Sequence, residues 1–214
     1  MMPGDAELLA DLRATVAGHG LVMLGACHDG ETTRVMIGNA GSAMVAHVPG
    51  MPDADPADDP VNRWTRDVMT PIAASLGAEV VFPFDGPPWH PFVSWMTATG
   101  QAFISPLGLA IHPEFGLWFA LRAALLFPTR LPLAQAEARS PCLTCVDRPC
   151  LSTCPVSAFD GETYAADACR DHLATPRGTD CMSQGCRARR ACPVGTAWRY
   201  HPAHANFHMR AFAD

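Results

Sequence analysis

The placement of the cysteines constrains this chain more than any other sequence feature. Eight of its nine cysteines lie between Cys142 and Cys192, and only Cys27 lies outside that segment. The segment reads Cys142-x2-Cys145-x4-Cys150-x3-Cys154-Pro155 and then Cys169-x11-Cys181-x4-Cys186-x5-Cys192-Pro193. In a reducing compartment, such a cysteine-dense segment indicates metal binding rather than disulfide bonds. The isolated Cys27 is predicted to be a small buried hydrophobic residue.

The cysteine segment contains an internal repeat. Cys145 and Cys181 are 36 residues apart, as are Cys150 and Cys186, and each half closes with Cys-Pro-Val. The first half resembles the cysteine run of bacterial two-cluster ferredoxins, in which the fourth cysteine of each run binds the other cluster. The resemblance therefore implies two 4Fe–4S clusters, the first held by Cys142, Cys145, Cys150 and Cys192 and the second by Cys154, Cys169, Cys181 and Cys186.

Paired zinc sites are the alternative interpretation, because four cysteines also form a structural zinc site. Zinc does not explain the Cys-Pro closures or the crossed symmetry of the repeat, so the pattern favours iron–sulfur clusters. Arg187, Arg189 and Arg190 lie between two of the cysteines. We expect these arginines to offset the negative charge of the clusters and to raise their reduction potentials.

Charge divides the chain at about the same place as the cysteines. Residues 1–138 contain 6 arginines and 14 acidic residues, whereas residues 139–214 contain 9 arginines and 7 acidic residues. From this asymmetry we predict a large domain over residues 1–138, a small two-cluster domain over 139–198 and a tail over 199–214. The net charge of −6, without a basic stripe, argues against a nucleic-acid partner.

The N-terminal sequence and the hydropathy pattern predict a cytoplasmic protein. Asp5, Glu7 and Asp11 precede any apolar run, which is the wrong charge for a signal peptide. No uninterrupted apolar stretch approaches the roughly 20 residues of a membrane span. We therefore expect no membrane partner.

The first 138 residues predict an α+β fold, because strands and helices alternate irregularly before a final hairpin. Glu114-Phe115-Gly116 is predicted to be the turn of a β-hairpin between residues 107–113 and 117–127. No phosphate-binding P-loop and no dinucleotide-binding glycine motif is present. The other predicted elements are a helix capped by Asp5 and continuing to Val16, strands over 20–27, 33–38 and 78–84, a helix beginning at Asp59-Pro60 and ending at Gly77, and a helix over 91–99.

The predicted hairpin carries a second resemblance. Residues 108–122, Gly-Leu-Ala-Ile-His-Pro-Glu-Phe-Gly-Leu-Trp-Phe-Ala-Leu-Arg, resemble the signature of the CblC-type cobalamin-processing proteins. A weaker form of the pattern occurs in epoxyqueuosine reductases, whose cobalamin domain precedes a two-cluster ferredoxin module. The resemblance implies a flavin-reductase/nitroreductase-like α/β sandwich with a small C-terminal ferredoxin-like iron–sulfur domain. It also implies corrinoid contacts from Gly108, Ile111, His112, Pro113, Phe115, Gly116, Trp118 and Phe119.

Two departures from these families qualify what the resemblance implies. Glu114 stands where the animal CblC-type motif has arginine, which argues against thiol-dependent dealkylation. Residues 101–108 contain no lysine, unlike the matching segment of epoxyqueuosine reductases, which argues against a tRNA substrate.

Several single residues have both a functional and a structural interpretation. Asp85 follows a predicted strand where epoxyqueuosine reductases place their proposed proton donor, although an Asp before Gly-Pro-Pro is commonly a turn former. His112 is either a corrinoid contact or a turn residue. His201, His204 and His208 have the spacing of a helical metal site, but a tail helix carrying polar histidines is the preferred interpretation.

The leading hypothesis is a reductase that binds corrinoid base-off and passes electrons from its clusters to cobalt, removing the upper axial ligand. Cyanide, hydroxide or an alkyl group is the expected ligand. The electrons would come from an external low-potential donor such as a flavodoxin, a ferredoxin or a reductase. The alternatives are a cobalamin-dependent reductase of an organic substrate and a ferredoxin-type electron carrier. Flavin has no independent signal in the sequence, although the related fold binds it. The sequence leaves the oligomeric state open, and a homodimer is one of the possibilities.

Overall fold

The computed structural model describes residues 3–134 and 137–213, with side chains from Glu7 onward. The helices are α1 Pro3–Ala17, α2 Pro60–Ser75, α3 Phe92–Ala98, α4 Pro149–Ser152, α5 Ala166–Leu173, α6 Thr179–Gln184, α7 Arg187–Ala191 and α8 Pro202–Ala213. The strands are β1 Val22–Asp29, β2 Thr32–Ala40, β3 Glu79–Val81, β4 Phe103–Ile104, β5 Ala110–Ile111 and β6 Phe119–Phe127. The mixture of helices with an antiparallel sheet confirms the predicted α+β class.

The main sheet is antiparallel, with strand order β1-β2-β6-β3. Both faces of its central strands are covered. On one face Val35, Ile37 and Leu125 pack against α1 and α2, and on the other Met36 and Ala124 pack against α3. Because successive residues of a strand point to opposite faces, a strand covered on both sides has a largely apolar sequence.

The predicted hairpin is wrong in its pairing. Strand β6 pairs with β2 and β3, whereas β5 pairs with β4 in a separate two-stranded sheet. Between β5 and β6 only one bridge remains, which joins His112 to Gly116. The physical reason is burial: β6 is apolar on both faces, so it lies between two strands of the main sheet rather than at the edge of a hairpin.

Helix α1 begins at Pro3, so the prediction of Asp5 as its N-cap is wrong. The apolar positions Leu9, Leu12 and Val16 are nevertheless buried in the core, as their helical spacing predicts. Helix α2 begins at Pro60 as predicted. Proline is favoured in the first turn because its missing N–H has no partner there in any helix.

The cysteine segment and the tail pack against the first part of the chain. Leu107, Ile111 and Leu117 share one hydrophobic cluster with Cys150 and Cys192. In the tail, the predicted helix is present as α8, and Phe207 joins the main core. Arg210 of α8 donates hydrogen bonds to the carbonyl oxygens of Pro52 and Ala54, each at 3.0 Å. Within the described ranges no helix has the length and apolar character that crossing a bilayer requires.

Candidate functional site

The tight turn from His112 to Gly116 is the centre of the candidate site. The backbone N–H and C=O groups of His112 and Gly116 are paired in both directions, at 2.9 and 2.8 Å. The imidazole Nδ1 of His112 accepts hydrogen bonds from the backbone N–H groups of Glu114 and Phe115, at 3.1 and 3.3 Å. Burial lowers the pKa of His112, so its ring is neutral, and only Nε2 remains for contact with a ligand.

The turn is in direct backbone contact with the loop that follows Cys192. Gly116 has a φ of +59°, and a Cβ atom placed there would lie 2.1 Å from the carbonyl oxygen of Val194. A Cβ atom on Gly195 would in turn lie 2.3 Å from the carbonyl carbon of Phe115. Only glycine permits this approach on both sides, so the two glycines join the turn to the cysteine segment.

An open cavity of about 320 Å³ lies beside the turn and is called here the arginine cavity. It is lined by Leu109, Ala110, Leu117, Phe119, Ala120, Leu121, Arg122, Arg189, Tyr200 and His208. Of the two adjacent aromatic residues at the start of β6, Phe119 lines this cavity, whereas Trp118 is buried beneath Tyr200.

Arg122 is the most deeply buried charge of the arginine cavity, with 9% of its surface exposed. The register of β6 against β2 shifts between the pairs Ile37–Ala123 and Gly38–Leu121, which leaves Arg122 without a partner in the ladder. A bulge of this kind redirects a side chain. Nε of Arg122 donates a hydrogen bond to Oδ1 of Asn39 at 3.1 Å, and burial lowers the pKa of the guanidinium.

Arg189 connects the cysteine segment to the same cavity. Its guanidinium lies over the rings of Trp118 and Tyr200, 4.6 Å from each centroid, and Nε donates to the carbonyl oxygen of Leu117 at 2.9 Å. The two arginines beside it behave differently, because Arg187 and Arg190 both contact Asp180 on α6. Arg189 is therefore part of the cavity wall, whereas Arg187 and Arg190 form ion pairs with Asp180.

The four cysteines predicted to hold the first cluster line one cavity, called here the cysteine cavity. Cys142, Cys145, Cys150 and Cys192 surround it together with Ile111 and Leu117. Burial raises the pKa of Cys150, and the neighbouring Cys192, Cys142 and Cys145 raise it further by charge repulsion. These four thiols therefore lie close together, although Cys192 is 42 residues away along the chain from Cys150.

The cysteines predicted for the second cluster also lie close together. Burial raises the pKa of Cys186, and repulsion from Cys181 and Cys169 adds to that shift. Cys154 belongs to the same hydrophobic cluster as Cys169 and Cys186, and its sulfur accepts a hydrogen bond from the backbone N–H of Ala158 at 3.3 Å. The same hydrophobic cluster also contains Cys142, Cys150 and Cys192, so the assignment of Cys154 to the second set stays a prediction.

The chemistry of both donor sets suits a positively charged metal core. All nine cysteines are free, and burial makes the thiolate form of the inner ones costly unless a cation compensates it. Among the described residues, no group of three or more His, Cys, Asp or Glu side chains is arranged around a single metal ion. The ligands of a single ion converge on one point, whereas the thiolates of a four-iron cluster bind to four different irons.

Leu117 lines both the cysteine cavity and the arginine cavity. Ile111 and Leu117 face the cysteines, while Leu109 and Ala110 face the arginines. The segment on either side of the turn is therefore a thin wall between the first cysteine group and the open cavity. The sequence contained the turn residues and the cysteines, but it did not show that they would share this wall.

The remaining predicted residues are placed as follows. Asp85 forms an ion pair with Arg66, and its side chain is 40% exposed. It does not line the two cavities described above, and its catalytic role stays a prediction. Gly108 has a φ of +72°, with open space where a Cβ atom would lie. Cys27 is buried, as predicted.

A third cavity, of about 280 Å³, lies on the other side of the turn. It is lined by His112, Glu114 and Phe115 and by residues of β1, including Gly25. The Nε2 atom of His112 is the group of the turn that remains available to a ligand here. The turn therefore borders cavities on both of its sides.

Comparison with solved structures shows which proteins share this fold. The crystal structure of a C. elegans B12-trafficking protein CblC, a homologue of human MMACHC, is similar with a TM-score of 0.56 and 15% identity, covering 99% of this chain and 94% of that one. The crystal structure of a selenomethionine-labelled epoxyqueuosine reductase is similar with a TM-score of 0.53 and 11% identity, covering 92% of this chain and 68% of that one. No protein-family model and no curated protein sequence matches the chain. At these identities the likeness establishes a CblC-like fold.

Proposed function

We propose that this protein is an iron–sulfur reductase that processes cobalamin by removing its upper axial ligand. The observation that carries the proposal is the wall formed by Leu117, with four facing cysteines on one side and the arginine cavity on the other. This arrangement would bring an electron source beside a cavity open to a substrate. The fold shared with a B12-trafficking protein and with a reductase supports the same class of chemistry.

Cys142, Cys145, Cys150 and Cys192 would hold the cluster nearer the arginine cavity. Cys154, Cys169, Cys181 and Cys186 would hold the other, which would receive electrons from an external low-potential donor. The clusters, when bound, supply single electrons at potentials that extend low enough for difficult reductions. The apolar residues on the cysteine side exclude water from the sulfurs. This favours electron transfer through the wall towards the arginine cavity.

The corrinoid, as the substrate, would lie in the arginine cavity against Leu109, Phe119 and Leu121. Apolar side chains suit the corrin macrocycle, and the few polar groups of the wall would orient it. Arg122 and Arg189 would favour departure of an anionic ligand, because their positive charges face the cavity in a desolvated setting. When one electron reaches cobalt(III), the ligand leaves with the bonding pair and cobalt(II) remains.

The proposal is tested by anaerobic purification, measurement of iron and sulfide, and titration with aquocobalamin and cyanocobalamin under a low-potential reductant. We expect about eight irons per chain, a base-off spectral shift and loss of the cyano ligand on reduction. Retention of the corrinoid through many turnovers of an added organic substrate would favour a cobalamin-dependent reductase instead. Eight irons without corrinoid binding would favour a ferredoxin-type electron carrier, and zinc in place of iron would overturn the proposal.

Cysteine variants make this test specific. Cys150→Ser and Cys192→Ser should lower the iron content and the visible absorption, because each removes a ligand from the proposed nearer cluster. Cys27→Ser is the matched control, since Cys27 is equally buried but lies in β1, outside the cysteine segment. Equal iron content in all three variants would contradict the ligand assignment.

A further inference from the structure

A chain of hydrogen bonds leads from the partly exposed Ser42 to the arginine cavity. Oγ of Ser42 lies 3.0 Å from Nδ1 of His204, and Nε2 of His204 lies 3.0 Å from Nε2 of His208. His204 is 1% exposed, and His208 lines the cavity. The two ring nitrogens of His204 thus contact different residues, Nδ1 contacting Ser42 and Nε2 contacting His208. The path therefore passes through the buried imidazole ring.

The direction of these hydrogen bonds follows from the groups at the outer end. The backbone N–H of His201 donates to Oγ of Ser42 at 2.9 Å, which occupies one lone pair of that oxygen. Among the described residues, the only acceptor for the Ser42 hydroxyl proton is Nδ1 of His204. With Ser42 as the donor in this contact, His204 carries its own proton on Nε2 and donates it to Nε2 of His208, whose proton then lies on Nδ1.

The surroundings keep both rings neutral. Burial lowers the pKa of His204 to about 3, and repulsion from Arg122, Arg189 and His201 adds to the shift. Burial likewise lowers the pKa of His208 to about 2, with added repulsion from Arg122, His204 and Arg189. The ring of Tyr200 is stacked on His204, with centroids 4.0 Å apart. Two neutral imidazoles in series pass protons by exchanging tautomers, without a stable imidazolium.

The other charges around α8 are engaged elsewhere, within the part of the chain that the structure describes. Asp180 on α6 contacts Arg187 and Arg190, and Arg170 on α5 donates to the carbonyl oxygen of Phe212 near the end of α8. Arg210, on α8 itself, donates to backbone carbonyl oxygens. None of these groups forms an ion pair with His204 or His208.

We infer that Ser42, His204 and His208 form a proton relay that protonates the upper axial ligand as it leaves cobalt. This inference rests on the proposed function. In the cyano case, one electron from the external donor reduces cobalt(III) to cobalt(II), cyanide leaves with the bonding pair, and the Nδ1 proton of His208 joins it to form HCN. In the same concerted shift, Nε2 of His208 takes the Nε2 proton of His204, Nδ1 of His204 takes the hydroxyl proton of Ser42, and a hydronium ion from solvent returns a proton to Ser42. Both rings stay neutral and end the single turnover as the opposite tautomers.

Single-turnover removal of cyanide by the iron-loaded protein tests the relay. His208→Gln and His204→Gln should slow ligand loss at about pH 8 by at least about tenfold, with partial rescue by added imidazole. Ser42→Ala, which leaves both rings in place, should slow it in the same direction. His47→Gln is the control, because that histidine is exposed and lies outside the relay. Iron content should be unchanged in all variants, and the corrinoid spectral shift should be unchanged in His204→Gln, Ser42→Ala and His47→Gln.

The outcomes separate the relay from the proposed function. If the wild-type protein removes cyanide and His208→Gln removes it equally fast without rescue, the relay is wrong and the proposed function stands. If the wild-type protein binds no corrinoid or removes no ligand, the proposed function is wrong, and with it the role of the relay in that reaction.

Nitrogen-15 spectra of the histidine rings in the oxidised holoprotein test the relay's geometry independently of activity. We expect His204 protonated on Nε2, His208 protonated on Nδ1, and neither ring charged at about pH 6. In Ser42→Ala the tautomer of His204 should change, because the hydroxyl donor is absent. A charged ring at this pH, or tautomers unaffected by Ser42→Ala, would overturn the inference.

Discussion

Gly116→Ala should loosen the contact between the turn and the cysteine segment. The new Cβ atom would lie 2.1 Å from the carbonyl oxygen and 2.7 Å from the carbonyl carbon of Val194. Both atoms belong to the backbone, so no side-chain rotation relieves the overlap. The residue also has a φ of +59°, which costs an L-residue roughly 1–2 kcal/mol. Overpacking adds about 1–3 kcal/mol, so the expected total is about 2–5 kcal/mol.

Gly30→Ala is the matched control for this variant. Gly30 has the same φ of +59°, but no atom lies within 4 Å of its added Cβ. The difference between the two variants therefore isolates the overlap with Val194 from the backbone strain. At about 2–4 °C per kcal/mol for a chain of this size, Gly116→Ala should melt about 2–12 °C below Gly30→Ala.

The assay is anaerobic thermal unfolding of the iron-loaded protein at one fixed scan rate, followed by visible absorption and by circular dichroism. A fixed rate is needed because loss of a metal group makes unfolding irreversible. The visible absorption of Gly116→Ala should also be lost earlier than its helical signal, because the overlap lies next to Cys192. Equal melting temperatures for the two variants would refute the argument that this backbone contact joins the two parts of the chain.

Three further predictions concern charge and metal. Below about pH 6.5 the unfolded chain binds protons at His204 and His208, whereas the folded chain does not. The free energy of unfolding should therefore fall as the pH drops from 6.5 towards 3, by up to about 1.4 kcal/mol per pH unit for each histidine. His208→Gln should lessen that slope in urea titrations, and an unchanged slope would contradict the burial of a neutral ring. Asp85→Asn should change the free energy of unfolding by less than about 1 kcal/mol, because the Arg66–Asp85 ion pair is about half exposed. Full turnover by this variant would contradict the hypothesis that Asp85 is catalytic. Removal of iron with a chelator should expose the buried thiols Cys150 and Cys192 to a thiol reagent, while Cys27 should react only on global unfolding.

Much of the local structure could be predicted from the sequence. Periodic apolar residues correctly indicated α1 and α2, and the turn at residues 114–116 lies where it was predicted. The pairing of β6 could not be predicted in the same way, because an apolar run is compatible with a hairpin edge or with a central strand. Only the packing of α1, α2 and α3 on the two faces of the sheet makes the central position the favourable one.

The candidate site shows the same division between local and long-range information. Cysteine spacing revealed the repeat, and the resemblance to two-cluster ferredoxins then implied two sets of four ligands, which stay a prediction. No comparable pattern marked Asn39 or Ser42, whose partners are Tyr200 and His204, more than 150 residues away along the chain. The spacing of His204 and His208 was visible, but the burial that makes them neutral was not.

The sequence by itself therefore determined which chemistry is available: eight clustered thiols, a turn with a specific set of aromatic residues, and an α+β chain with a helical tail. The tertiary structure decided where that chemistry meets. It placed Leu117 between the cysteines and the arginine cavity, directed Arg122 inward at a bulge and brought α8 into contact with Ser42 in the segment that follows β2. The physical reason is that ligand spacing and turn composition are local properties of the chain. Cavity walls and buried hydrogen-bond chains depend instead on which distant surfaces pack together to remove apolar area from water.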